Sequence, residues 1–366
     1  MSRPVVLVAS PSLEAISGVT THARSLFASP LAASFDLRHF RVGSEGRAES
    51  RAAMLARLLL SPLALAVEIV RHDAAIVHLN TSLNAKAFWR DAAYAAVAKL
   101  LGARVVLQKH GGTLGGFTRH FPALLVRAAL RIPDVVAVLA RAELAEYSAF
   151  LPGRQLALLP NGIDVGAFRK RSSQVAGDTL ELIYVGRLAA GKGLAESLEG
   201  LALARGRGVR ARLVVCGSGP EEGALRLRAE ELGLAAAVHF AGPAYGEAKA
   251  RLLGAADVLL LPSHGEGLPY AVLEGMAAGA VPIVTPVGAL PDVIEPGVHG
   301  VFVPVGDADA VACAIAGLAS DRPRLARMAG AARRRVSSGY SLDRLAFDVA
   351  SVYAALAPGR APKTIY

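Results

Sequence analysis

Short runs of apolar, often β-branched residues alternate along the chain with longer Ala-, Leu- and Arg-rich stretches in which apolar positions recur at helical spacing. An unbroken apolar run of about 4–8 residues is the pattern of a strand buried on both faces. Such runs predict strands at Val5–Ala9, Phe35–Phe40, Ala75–Leu79, Arg104–Gln108, Val135–Leu139 and Gln155–Leu158. A second series falls at Leu180–Val185, Arg210–Val215, Val238–Phe240, Val258–Leu261, Val281–Val284 and Gly300–Val303. Strand and helix in regular succession predict parallel sheets covered on both sides.

The rhythm breaks at Leu159–Asp164, where Pro160-Asn161-Gly162 has turn chemistry. The polar, aperiodic stretch Arg169–Thr179 follows as the expected linker. A length of 366 residues suits two domains. The expected division is 1–165 and 166–340. The last helical pattern, Leu342–Leu356, follows the second sheet and can cross back to the first domain, so 341–366 is grouped with it. Two doubly wound sheets facing across a cleft would turn the carboxyl ends of their strands towards a shared ligand.

Hydrophobic residues make up 53% of the chain and charged residues 19%, which excludes a disordered protein. The two cysteines, Cys216 and Cys313, have no metal-ligand spacing and read as buried thiols in a reducing cytoplasm. Val5–Ala9 is too short for a signal-peptide core. Met54–Val70 is broken by Arg57, Pro62 and Glu68 and reads as an amphipathic or buried helix pair, not a membrane span. The net charge is +10, with much of the excess before residue 165. The basic residues are dispersed and carry no nucleic-acid-reading motif, so nucleic acid is not an expected partner. Arg119, His120, Arg127 and Arg131 flank the apolar Phe121–Val126. That composition fits either a helix on an anionic bilayer or a core helix with a solvated basic face.

Chemistry concentrates at strand ends. After Val185 comes Gly186-Arg187-Leu188-Ala189-Ala190-Gly191-Lys192-Gly193, then a helical pattern. Arg187 and Lys192 can stabilise the charge of a departing diphosphate, the guanidinium as a fork and the ammonium as a point charge. After Leu261 the loop Pro262–Pro269 carries Glu266, Gly267 and Leu268, and Glu274 lies about one turn into the following helix. The start of that helix offers backbone N–H groups to an anion. Two carboxylates there cannot both serve phosphates, so sugar hydroxyls suit Glu266 and a ribose suits Glu274. An acidic first turn favoured by the helix dipole is the alternative.

Arg187 and Lys192 in Gly-Arg-Leu-(x)3-Lys-Gly, with Glu266 and Glu274 in Glu-Gly-Leu-Pro-(x)4-Glu-Gly-Met-Ala-(x)-Gly, resemble the retaining glycosyltransferases of family 4. The resemblance continues through Val281–Gly288 to Gly297-(x)2-Gly300, takes in Pro160–Asp164, and covers nearly all the second half. It implies the GT-B fold, with an N-terminal acceptor domain and a C-terminal nucleotide-sugar domain. In the first half it rests on two places. Ile16–His22 matches a glycine loop that approaches donor phosphates, with Ser17 in place of the first of two glycines and Gly18 as the contact. Lys109-His110-Gly111-Gly112 matches the catalytic-site histidine, so His110 is implied to contact the donor sugar, beside Glu266 as a second catalytic residue. Pro291-Asp292 departs from the family's usual Glu, and no role is carried over there.

The resemblance implies a retaining transfer of a hexose-type sugar from a UDP- or GDP-sugar, by front-face attack with the leaving diphosphate as base. No cofactor is expected. Asp307-Ala308-Asp309 reads as helix capping rather than a metal motif. The base would be read near Phe240–Pro243 and the sugar near His264–Tyr270. Asn80, Thr81 and Ser82 either line an acceptor cleft or cap the following helix. The acceptor is expected to be lipid-linked or a saccharide. The setting is bacterial surface polysaccharide (exopolysaccharide or lipopolysaccharide) synthesis at the cytoplasmic face of the inner membrane, with Arg119, Arg127 and Arg131 towards it. Alternatives are a nucleotide-sugar epimerase of the same fold or a non-catalytic binding protein. A dehydrogenase fits poorly, because the third glycine of Gly217-Ser218-Gly219-(x)3-Gly223 is one position late and the next strand end offers no acid for a ribose.

Overall fold

The computed structural model describes residues 3–43, 50–169 and 178–357. Most of the expected linker Arg169–Thr179, and the part of 341–366 after Ala357, lie outside the described residues. The chain forms two compact units, residues 1–162 with 342–366, and residues 163–341.

Unit 1 is a parallel six-stranded sheet of β1 (Val5–Ser10), β2 (Asp36–Arg41), β3 (Ile76–Ser82), β4 (Arg104–Gly111), β5 (Val135–Val138) and β6 (Gln155–Leu158), in the order β2-β1-β3-β4-β5-β6. Its helices are α1 (Gly18–Ala28), α2 (Leu31–Ser34), α3 (Arg51–His72), α4 (Ala85–Leu100), α5 (Leu114–Thr118), α6 (Ala123–Leu130) and α7 (Arg141–Phe150). Successive strand residues point to opposite faces. Leu7, Ala9, Val77, Leu79, Val105 and Leu107 pack with α3 to α7, whereas Val6, Val8, Ile76, Val106, Val135 and Ala137 pack with α1, α2 and the last helix. That is why the strands read as continuous apolar runs.

Unit 2 repeats the plan with β7 (Leu180–Val185), β8 (Ala211–Cys216), β9 (Val238–Gly242), β10 (Val258–Leu261), β11 (Val281–Val284) and β12 (Val301–Phe302), in the order β12-β11-β10-β7-β8-β9. Its helices are α8 (Leu194–Gly206), α9 (Glu222–Glu231), α10 (Gly246–Ala255), α11 (Tyr270–Ala278), α12 (Leu290–Val293), α13 (Ala308–Ser320) and α14 (Arg322–Gly339). The chain enters and leaves side by side, the Ile163 N–H donating to the Tyr340 carbonyl at 2.9 Å. The last helix, α15 (Leu342–Leu356), belongs to unit 1, where Leu345, Ala346, Val349 and Tyr353 are buried.

Three expectations change. β3 and β4 run three residues further, so Asn80–Ser82 and Lys109–Gly111 are strand rather than loop, with an irregularity at Thr81/Ser82. Met54–Val70 lies in one helix, α3, with Pro62 inside it; proline's fixed φ is helical, so the residue removes one hydrogen bond without ending the helix. Cys216 is buried but Cys313 is exposed, because α13 buries the face carrying Val311, Ala312, Ile315 and Leu318.

A buried polar chain ties α15 to the sheet. The Gln108 amide Nε2 donates to the Leu159 carbonyl at 2.9 Å, which leaves its Oε1 to accept from His78 Nε2 at 3.0 Å. His78 Nδ1 is then the acceptor for the Tyr353 hydroxyl at 2.6 Å. Removing that hydroxyl strands a buried acceptor, so Tyr353→Phe is expected to destabilise unit 1 by about 1–3 kcal/mol. Urea unfolding followed by fluorescence of Trp89, the single tryptophan and part of unit 1, checks this.

Candidate functional site

In a doubly wound sheet, ligands bind beyond the carboxyl ends of the strands where the strand order reverses. In unit 2 that point lies between β7 and β10, which pair directly although separated in sequence. The loop 186–193 leaves β7 there and the loop 262–269 leaves β10.

The two loops are joined by backbone. Gly193 has φ +79°, and a Cβ on it would stand 2.4 Å from the Pro262 carbonyl oxygen. The His264 N–H donates to the Gly191 carbonyl at 2.9 Å. From below, the buried Tyr184 hydroxyl lies 3.1 Å from the Arg187 carbonyl and 3.2 Å from that of Lys192. Burial, reinforced by Glu266 and Glu196, holds this phenol protonated well beyond its usual range, so it remains a donor. The 262–269 loop is held on its other side by Gly288, φ +57°, whose missing Cβ would stand 2.2 Å from the Glu266 carbonyl oxygen.

On this frame Lys192 Nζ meets Glu266 Oε1 at 2.8 Å, bringing together two predicted residues 74 apart in sequence. Arg187 is exposed, and its guanidinium makes no hydrogen bond or ion pair with a described residue. Gly267 is partly exposed, and the Leu268 side chain is buried. Neither α8 nor α11 has a side-chain cap at its N-terminus; first-turn N–H groups without such caps suit an anion. Glu274 is buried and takes Lys249 Nζ at 2.6 Å. Burial pushes its carboxyl above the usual range and the Lys249 ammonium offsets part of that.

In unit 1 the strand order reverses between β1 and β3. Ser17, the departure from the family's glycine, is the N-cap of α1 and accepts from the Thr20 N–H at 3.1 Å. Gly18 is exposed, and a Cβ there would meet nothing within 4 Å, so nothing inside unit 1 requires glycine at this position. His110 Nε2 lies 2.8 Å from Asn80 Oδ1, and Asn80 Nδ2 donates to the Ala9 carbonyl at 3.1 Å. Since the amide NH2 is spent on Ala9, Oδ1 must accept and His110 must carry its proton on Nε2, leaving Nδ1 as an acceptor. Asn80 is therefore committed to orienting His110. Thr81 is buried and Ser82 partly exposed, and the cap of α4 is Asn84 rather than any of the three.

The His22 ring stands 4.6 Å from that of His110 and is fully buried, with neither nitrogen hydrogen-bonded to a described residue. Burial lowers its pKa to about 4, against the pull of nearby Gln108 and Asn161. Burial also lowers His78 to about 3 and His110 well below its ordinary value, with neighbouring charge adding to both. Lys109 is buried on Glu143.

Of the three arginines at α5 and α6, Arg119 and Arg131 are exposed, while Arg127 is half-buried with its guanidinium over the Phe150 ring at 4.9 Å. Asp307 caps α13, accepting from the Ala310 N–H at 2.8 Å, and Asp309 pairs with Arg207 at 2.8 Å. Sequence reasoning missed Lys249, Tyr184 and His22. His22 lay within the singled-out Ile16–His22 segment and Tyr184 at the strand end that leads into Gly186–Gly193, while Lys249 carries no local signal.

Residues 167–335 match the family described as glycosyl transferases group 1. WcaL of Salmonella typhimurium, a glycosyltransferase named for colanic acid biosynthesis, is 34% identical over 211 residues, 55% of this chain and 51% of WcaL. The chain thus spans about half the length of that relative. A GDP-mannose-dependent alpha-(1-6)-phosphatidylinositol monomannoside mannosyltransferase of Mycobacterium tuberculosis is 30% identical over 270 residues, 69% of this chain and 70% of that protein. The crystal structure of Anabaena Alr3699/HepE in complex with UDP superposes with TM-score 0.76 over 97% of this chain and 100% of that one, at 17% identity. That likeness concerns the fold, which is the GT-B fold.

The histidines give unit 1 a pH signature. Unfolded, each imidazole takes a proton near pH 6.5; folded, His22 resists until about pH 4 and His78 until about pH 3. A lowered folded value means stability is whole above 6.5 and falls as pH drops through this window. Between pH 6.5 and 4, His22 alone is expected to remove about 3 kcal/mol. Urea titrations on Trp89 fluorescence at both pH values measure the loss, and His22→Gln should reduce it by about that share, the rest staying with His78 and His110.

Proposed function

The chain belongs to the glycosyl transferases group 1, and from that membership we propose that it is a retaining, metal-independent glycosyltransferase. It moves a hexose-type sugar from a nucleoside diphosphate sugar to an acceptor, lipid-linked in preference to a free saccharide, in bacterial surface polysaccharide synthesis. The observation that carries this reading is the Lys192–Glu266 pair where β7 and β10 diverge, beside the exposed Arg187 and the uncapped start of α11.

Breaking the bond between the sugar and the diphosphate leaves negative charge on the diphosphate. Arg187, Lys192 and the first-turn N–H groups of α11 offset that charge in place of a metal ion. Glu266 releases Lys192 to the phosphates and accepts from sugar hydroxyls. Glu274, held by Lys249, accepts from the ribose. His110, oriented by Asn80, receives a hydroxyl of the sugar at Nδ1 as the ring gains positive character. The departing diphosphate takes the acceptor's proton on the face it leaves, which retains the configuration. Gly18 admits the diphosphate close to backbone. The GDP-mannose in the mannosyltransferase's name and the UDP in the Anabaena protein's crystal support a nucleotide sugar without choosing the base.

The test combines thermal shift and turnover. One of UDP, GDP, UDP-glucose or GDP-mannose should raise the melting temperature, with or without EDTA, and Lys192→Ala should abolish the shift. With that donor and a polyprenyl-linked saccharide, Lys192→Ala and His110→Ala should each lower kcat by about a hundredfold or more. Full turnover by His110→Ala removes its role. A nucleotide shift without any turnover turns the reading to a binding protein, and loss of turnover in EDTA ends the metal-free mechanism.

A further inference from the structure

Helix α3 buries Leu65 and Ile69 in unit 1 but leaves Leu59, Leu60, Leu63, Val67 and Val70 between 59% and 73% exposed. Positions 59, 63, 67 and 70 succeed one another by a helical turn, so they form one apolar ridge about 16 Å long. Scattered exposed leucines are ordinary, but a continuous ridge on one helix marks a surface that something covers. Helix α6, in the same layer over the sheet, exposes Leu124 and Leu125 as well.

Charge selects the occupant. Unit 1 holds 21 Lys and Arg against 12 Asp and Glu, nearly all of the chain's net +10. Exposed cations in the ridge's own layer include Arg71 at the end of α3, Lys86 in the first turn of α4, Arg119 and Arg131. A second copy would set like charge against like. An anionic bilayer satisfies both the ridge and the excess positive charge.

We propose that unit 1 docks on an anionic lipid bilayer through α3, which lies along the surface with the ridge Leu59–Val70 in the acyl boundary and the basic side chains at the headgroups. Helix α3 lies on the bilayer rather than across it: its opposite face is committed to the core, and no described helix is long and apolar enough to span a membrane. Arg127, packed on Phe150, is not among the docking groups. The ridge shares no residue with the carboxyl-edge loops, so docking and sugar transfer are separable properties.

Flotation with phosphatidylglycerol–phosphatidylcholine vesicles tests this. The wild-type chain should float with them, less so in high salt and less with pure phosphatidylcholine. The double variant Leu59→Gln, Leu63→Gln leaves the net charge unchanged and should bind at least about tenfold more weakly. It should keep the wild-type melting temperature and nucleotide shift. Leu227→Gln, an exposed leucine of unit 2, should bind like the wild type. Failure of the wild type to float, or undiminished binding by the double variant, overturns the proposal. So does a dimer in sedimentation that the double variant dissolves, because the ridge would then be covered by a second copy.

Discussion

The candidate site in unit 2 depends on an approach of backbone to backbone that leaves no room for a Cβ. Gly193 lies against the Pro262 carbonyl and Gly288 against the Glu266 carbonyl, so the loop after β10 is held by main chain on both sides. Backbone has few soft torsions and carries strong hydrogen-bonding groups, which makes such a frame stiffer than one built on side-chain contacts. Tyr184 locks it from beneath, and Lys192, Glu266 and the starts of α8 and α11 inherit their positions from it. The chemistry proposed for these residues needs donors already in place when charge develops, and a frame of this kind supplies that.

Unit 1 is organised by a different rule. Its buried polar groups form directed chains in which each amide orientation dictates the next proton. Gln108 is committed by Leu159, His78 by Gln108, and Tyr353 by His78. Asn80 is committed by Ala9 and in turn fixes His110. A low-dielectric interior strengthens such chains and penalises any break in them, so the tautomer of His110 is set two residues away from its own ring.

Much of the fold was legible because strands buried on both faces leave an unmistakable apolar run. All twelve runs correspond to strands, with ends shifted by at most three residues. The strand-end motifs placed Arg187, Lys192, Glu266 and Glu274 in unit 2 for the same reason. What periodicity cannot carry is which strand lies beside which, and side-chain partners follow from that. The Lys192–Glu266 and Lys249–Glu274 pairs, and the use of Asn80 for His110, arise from strand order and helix packing. The apolar residues of α3 read equally as an amphipathic or a buried stretch because hydrophobicity alone does not reveal which face lacks a neighbour. Cys313 was misplaced for the same reason, one turn position away from the buried face of α13.

Unit 1 is written in two pieces, with the whole of unit 2 between them. On the ribosome its sheet emerges first, yet His78 has no donor for Nδ1 until Tyr353, 275 residues later, has been synthesised. Until then the face of the sheet that α15 covers, with Val6, Val8, Ile76 and Val106, lacks its last layer. Unit 2 has both its ends side by side at Ile163 and Tyr340 and contains its entire sheet, so it can close before the chain is finished. The half that begins first is therefore completed last, and its exposed sheet face is the surface most dependent on chaperone shelter during synthesis.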